Sequence, residues 1–367
     1  MKMTRAAARG LAAVCIFSII APAGTVPAAP AAPSFSKLSA RVIDSYVLPR
    51  FKRLEQASGG LAADIARICD GAKGGLANAK RDFAETALAW AEAEFLRFGP
   101  MSEIGRPERF YFWPDPRGVA QRQINALIAK RDATALDPVT LAKKSAAVQG
   151  LSALEVLLHD DEHPITGADD DARYRCRLAL AIARAMNGLA SEVVAEWDGE
   201  GGWRRRMLEP DPQGTPYKTA EEAAADFARA LVTGLQMIQD REVAPMIAAI
   251  ATPDKPPRLP FQRSGLSARY IVSGIASAKA LYETMGLARS VPSDKGWMPR
   301  WISAAFERLA RDAPAAVENI PRAKDHKDRE RELRMVRFHV EGIRKLVGRE
   351  IAPLAGLTVG FNELDGD

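Results

Sequence analysis

Cysteine and histidine are both sparse, with three and four residues in a chain of 367. So little cysteine excludes a disulfide-dense scaffold, and no CxxC or zinc-ribbon spacing is present to build a cysteine metal site. Nucleotide and acyl-transfer signatures are missing too. There is no P-loop, no G-x-G-x-x-G after a strand and no G-x-S-x-G elbow. No stretch alternates apolar and polar residues as a half-buried strand does. An excess of one charge is also lacking. Lys and Arg number 51 against 46 Asp and Glu, net +5, and Lys2, Arg5 and Arg9 supply three of those charges in the first 32 residues. The balance gives no reason to expect nucleic acid or an anionic membrane surface as partner. Beyond the N-terminus no stretch reads as long and apolar enough to span a bilayer.

What is present begins with a segment patterned like a secretory signal. Lys2, Arg5 and Arg9 form a positive start, Leu11 to Ala21 a short apolar core, and several A-x-A-like sites follow up to Ala32. Residues 1–32 are therefore expected to be removed, leaving an exported, periplasmic protein. Cys15 is a poor site for a lipid anchor, because bulky Val14 precedes it and the apolar run continues past it. Cys69 and Cys176 remain after processing. An even pair in an oxidising compartment is a candidate disulfide, and two free thiols on separate helices are the alternative.

The chain then reads as a succession of helices. Phe35 to about Gln56 has apolar residues at helical spacing, with Pro49 as a kink or boundary. Leu61 to Cys69 is short, and Leu76 to about Phe98 long. Val119 to Lys130 and Asp169 to Trp197 follow. Glu209 to Thr215 (EPDPQGT) is the best linker. Ala220 to Ala249, capped by Thr219, opens a second set that includes Leu266 to Met285, Pro299 to Leu309 and His326 to Ile351. A proline-rich connection, Thr252 to Gly265, lies between. The expectation is an all-α fold of two antiparallel four-helix-type bundles, residues 33–208 and 216–367.

Three stretches carry candidate chemistry. Met101 to Gly118 (MSEIGRPERFYFWPDPRG) is irregular yet aromatic. It plugs a gap between helices or walls a pocket, with Trp113, Arg106, Asp115 and Arg117 as contacts. Lys143 to Leu158 (KKSAAVQGLSALEVLL) reads as a buried helix, apolar from Ala146 on except at Gln149, Ser152 and Glu155. Three-residue spacing puts those polar groups on one strip. A buried Glu costs several kcal/mol unless paired. The strip is thus a satisfied network or a site. Gly150, read as lying inside the same helix, lets another backbone or a ligand approach. His159-Asp160-Asp161-Glu162-His163 contains H-x-x-E-H, the inverted zinc-peptidase spacing, but Pro164 follows at once and no third ligand is placed. As a loose cation-attracting patch it would use hard oxygen ligands.

The segments Arg109 to Asp115 (RFYFWPD) and Val148 to Glu155 (VQGLSALE), with the ending Thr358 to Asp367 (TVGFNELDGD), resemble the imelysin family. The resemblance covers essentially the whole mature chain. It implies two packed four-helix bundles and, for many members, export and association with bacterial iron uptake. The family also carries an older metallopeptidase label. Its Gly-x-His-x-x-Glu signature is matched here at Gly150 and Glu155, but Ser152 stands where the histidine belongs. A serine neither ligates a transition metal nor acts as a base without an activating partner.

The resulting expectation is a non-catalytic binding protein of an iron-acquisition system. It would take a metal species, a small ligand or a protein partner, with iron or another divalent cation as cofactor. The site would be a groove formed by Trp113, Asp115, Arg117, Gln149, Ser152 and Glu155, joined by Asn362 and Asp365 of the tail. Metal ligands would come from Glu155 or from His159, Glu162 and His163. A metal-dependent peptidase and a purely structural interaction module are the alternatives.

Overall fold

The computed structural model describes residues 34–72, 74–251, 259–318 and 326–360, and these contain helices and loops but no strand. The expected leader and the tail residues Asn362 and Asp365 lie outside the described residues.

Helix α1 (Phe35–Val42) is capped by Ser34, whose hydroxyl accepts from the Lys37 amide. It passes through a π-helical turn, Ile43–Val47, into α2 (Leu48–Cys69). Pro49 sits at the start of α2, where a missing N–H is harmless, so the chain stays helical across it. Helix α2 also runs unbroken through Gly59 and Gly60 and absorbs the short helix expected at Leu61. Helix α3 is Gly75–Ala93, α4 Val119–Lys130, α5 Gly150–Leu158 and α6 Asp170–Asp198. The second half contributes α7 (Ala220–Met237), followed by a π-helical turn at Ile238–Val243. It then adds α8 (Ser267–Met285), α9 (Trp297–Glu318) and α10 (His326–Leu346).

The cap expected at Thr219 is realised, and Asp169 caps α6 in the same way. Asp169 accepts from the Ala172 amide at the head of α6, and Thr219 from the Glu222 amide at the head of α7. Contrary to the expectation that no stretch beyond the N-terminus is long and apolar enough to span a bilayer, helix α6 meets that length and hydropathy. Its apolar side is nevertheless spent inside the protein, where Leu178, Ile182, Met186 and Val193 are buried and the helix packs along α2.

Helices α2, α3 and α6 pack together, with α5 against α3 and α6. Helices α7, α8, α9 and α10 form the second set. The two sets share a seam: α3 packs along α8, and α1 lies on α7 and α8. The described residues form one compact unit. Cys69 at the end of α2 and Cys176 in α6 are joined as a disulfide with Cα atoms 5.6 Å apart.

Candidate functional site

The stretch expected as one long helix up to Leu158 is broken. A short turn at Pro138–Leu141 and a 3-10 turn at Ala146–Val148 precede α5, which begins only at Gly150. Gly150 is therefore the first residue of the helix, not an interior one. Its φ is +60°, and a Cβ there would stand 2.2 Å from the Phe110 carbonyl oxygen and 2.4 Å from that of Arg109. Only glycine lets the aromatic segment cross the head of α5 so closely.

That crossing places the aromatic segment. Buried Arg106 donates to the Pro100 carbonyl at 2.8 Å and, bidentately, to Glu196 of α6, both bonds at 2.9 Å. It ties the segment to α6, which suits the gap-plugging reading of this stretch. Phe110 stacks on Trp90 of α3, with ring centroids 5.0 Å apart. Tyr111 stacks between Trp113 at 6.0 Å and Phe261 at 4.3 Å. Asp115 accepts from the Val119 and Ala120 amides at 2.8 and 2.9 Å, fixing the start of α4.

A cleft of about 490 Å³ opens between this segment, α5 and the loop before α8. Tyr111, Phe112 and Trp113 form one wall, Ser152, Glu155 and Val156 the floor, and Leu259, Gln262 and Arg263 the other wall. The structure thus brings together Trp113, Asp115, Ser152 and Glu155 as expected. It does not bring in Arg117, which is exposed, or Gln149. Gln149 is buried in a structural role: its amide donates to the Lys144 carbonyl at 2.8 Å and its oxygen accepts from Arg109 at 3.3 Å. The strip of three polar groups holds only for Ser152 and Glu155, because Gln149 precedes the helix in extended conformation.

Ser152 donates to the Phe112 carbonyl at 3.0 Å. One oxygen of Glu155 accepts from the amide and the hydroxyl of Ser264 at 2.8 and 2.7 Å. Burial pushes the Glu155 carboxyl up, against the Ser264 hydrogen bonds, which hold it down. Ser264, Phe261 and Arg263 stand in the proline-rich stretch 252–265, whose sequence reads only as a connection. The one available signal was Phe261, an aromatic residue in an otherwise polar, proline-rich loop.

The H-x-x-E-H stretch lies past the end of α5, in a loop, so its histidines do not share a helical face. The His159 ring packs on Phe83, with centroids 5.3 Å apart, and burial pushes its pKa down to about 4, which keeps the imidazole neutral near pH 7. Asp160 is tied to Arg175 at 2.6 Å and accepts the His163 amide at 3.1 Å. Glu162 is exposed. These residues line a second, polar cleft of about 610 Å³ together with Gln121, Asn125 and Arg263. Among the described residues no group of three or more His, Cys, Asp or Glu side chains is arranged to hold a metal ion.

In the first cleft a bare transition-metal ion is a poor fit. Ser152 offers a neutral hydroxyl already bonded to Phe112, and Glu155 is the single carboxylate left at the floor once Asp115 caps α4.

The imelysin family model matches residues 47–335. The chain belongs to the imelysin family. Its fold is that of solved imelysin-type structures. An imelysin-like protein from Psychrobacter arcticum 273-4 superposes with a TM-score of 0.73 at 20% identity, over 89% of this chain and 97% of that one. A putative iron-regulated protein A precursor from Parabacteroides distasonis ATCC 8503 superposes with a TM-score of 0.65 at 13% identity, over 87% and 96%. No curated protein matches the chain. Within the imelysin signature Gly-x-His-x-x-Glu, the structure gives the glycine a steric role at the head of α5 and the glutamate a partner across the cleft.

Proposed function

We propose that this imelysin-family chain is an exported, non-catalytic binding protein. Its ligand would enter the cleft between Trp113 and Arg263, over Ser152 and Glu155. The observation that carries this reading is the Glu155 carboxylate, sunk in an aromatic-walled cleft with one oxygen held by the amide and hydroxyl of Ser264. Small-molecule sites combine apolar walls with a few fixed polar groups in this way. The lining suits a small ligand with a planar or apolar face and a donor for the carboxylate. A metal would therefore enter inside an organic complex, not as a bare ion.

A role in iron acquisition is supported by the family and by the iron-regulated description of the Parabacteroides protein. Export is supported by the patterning of residues 1–32 and by the Cys69–Cys176 disulfide, since such bonds persist in oxidising compartments. The test is calorimetry of the purified chain with ferric citrate, alongside casein cleavage with and without added zinc or iron. Ferric citrate should bind, and binding should drop in Glu155→Gln and Trp113→Ala. Chelator-sensitive cleavage lost in Glu155→Ala or Glu162→Ala would instead establish a metallopeptidase. Binding unchanged in both cleft variants would remove the cleft from the account.

A further inference from the structure

Behind the cleft wall lies a second group of acidic side chains that the cleft does not use. Helix α3, helix α8 and the π-helical turn after α7 meet at Gly274 of α8. A Cβ on Gly274 would stand 3.8 Å from the Ala91 carbonyl of α3 and 3.7 Å from Ile238 of the π turn. One helical turn from each of these points are Glu94, Glu242 and Tyr270. All three are withdrawn from solvent, at 9%, 4% and 1% relative exposure, and Tyr111 joins them from the aromatic segment at 6%. The Tyr111 and Tyr270 rings lie 5.9 Å apart.

These groups are not satisfied by one another. One Glu242 oxygen and the hydroxyls of Tyr111 and Tyr270 have no hydrogen-bond partner. The Tyr270 hydroxyl lies close enough to the Glu94 carboxyl to lower its pKa, and the Tyr111 hydroxyl approaches the Phe261 backbone, but neither closes a well-formed hydrogen bond, so the Glu242 oxygen is the group left wholly open. Arg97 and Arg241 act electrostatically on Glu94, whereas the charged group acting on Glu242 is Glu94 itself. A buried carboxylate without a counter-charge is costly, and buried polar atoms left open in a native fold mark a bound water, an ion or a functional strain. The π turn that carries Glu242 points the same way, because such turns recur at functional sites.

We infer that Glu94 and Glu242, with the Tyr111 and Tyr270 hydroxyls, form an interior site for one hard, oxygen-seeking cation. The donor set is all oxygen, which selects calcium, manganese or ferric iron over soft metals. Two carboxylates and two phenols offer four ligands, and the cation supplies the positive charge that Glu242 lacks. This site is separate from the proposed cleft chemistry. Tyr111 is the shared element: one face of its environment is the cleft wall and the other is the acidic pair.

The test uses the full chain, stripped with a chelator and titrated separately with calcium, manganese(II) and ferric citrate. Bound metal per chain and the melting temperature are read for each. The expected result is one ion per chain for at least one probe, with a higher melting temperature in its presence. For iron, a phenolate charge-transfer colour should appear. The double variant Glu94→Gln/Glu242→Gln keeps side-chain volume and removes the carboxylate repulsion, so its metal-free form should melt no lower than the stripped wild type. It should bind the ion at least about tenfold more weakly. Should the double variant fold poorly, Tyr270→Phe takes its place and should lower affinity for the same ion. Glu155→Gln should keep the calcium or manganese ion and the phenolate colour with iron while its ferric citrate binding in the cleft drops, which separates this inference from the cleft reading. The inference is overturned if no probe binds the wild type at one per chain, or if the carboxyl variant binds as tightly as the wild type.

Discussion

Ser264 donates both its backbone amide and its hydroxyl to the same oxygen of Glu155, a residue 109 positions earlier in the chain. The contact clamps the loop before α8 onto α5 and so joins the two halves of the chain across the cleft. Hydrogen bonds to a charged group are worth about 1.5–3 kcal/mol each. Ser264→Ala removes one of the two and leaves the amide bond. Urea denaturation should therefore show a loss of about 1–2 kcal/mol. The Glu155 carboxyl, already raised by burial, should titrate at still higher pH, which carboxyl-labelled NMR can follow.

Gly150→Ala should be far more damaging than an ordinary glycine substitution at a helix start. The left-handed φ costs of order 1–3 kcal/mol for a side chain, and the Arg109 and Phe110 carbonyls must also move. A loss above about 3 kcal/mol is expected in denaturant melts, accompanied by weaker ligand binding as the aromatic segment shifts. Gly105→Ala makes a useful control, since its φ is also positive but no atom stands near the added Cβ.

Opening the Cys69–Cys176 disulfide releases a long loop, the two cysteines being 107 residues apart. Replacing both cysteines by serine should cost about 2–5 kcal/mol of stability. The comparison of oxidised wild type with the double variant in guanidinium checks this, and a change below about 1 kcal/mol would show that the clamp is redundant with helix packing.

The pH dependence of stability carries a signature of the buried carboxyl pair. Burial raises Glu94 to about 7, opposed by Tyr270, Arg97 and Arg241, while neighbouring Glu242 is raised by burial and by Glu94. The folded state thus holds a proton on Glu94 that the unfolded chain releases near its ordinary value. Its contribution is complete below about pH 4.5 and is lost as pH rises through about 7. His159 works in the opposite direction, since its lowered pKa removes stability as pH falls from 6.5 towards about 4. Subtracting the profile of Glu94→Gln from that of the wild type isolates the carboxyl. The difference should decline between pH 4.5 and 7 and be flat above.

Much of the architecture was legible because local rules decided it. The cap at Thr219, the helical spacing of buried residues in α6 and the absence of strand alternation all point to the fold observed. Trp113, Ser152 and Glu155 were recognisable as neighbours because aromatic and buried polar residues are conspicuous in their settings. What escaped the sequence depends on partners far along the chain. Gly150 begins a helix because two carbonyls from residues 109 and 110 occupy its Cβ position. Ser264 looks like an ordinary loop serine until the loop folds onto α5. Glu94, in AWAEAEFLRF, looks no different from Glu92 two residues before it. Only the packing of α8 and the π turn buries one of them.

Arg263 and Gln121 border both clefts, and the Arg263 guanidinium donates to the Gln121 side chain at 2.6 Å. A guest that recruits Arg263 on the aromatic side withdraws a positive group from the acidic loop on the other side. The converse also holds, because thermodynamic linkage is reciprocal. The partition between the clefts is therefore a lever, and whatever tightens its grip in one chamber resets the affinity of the other.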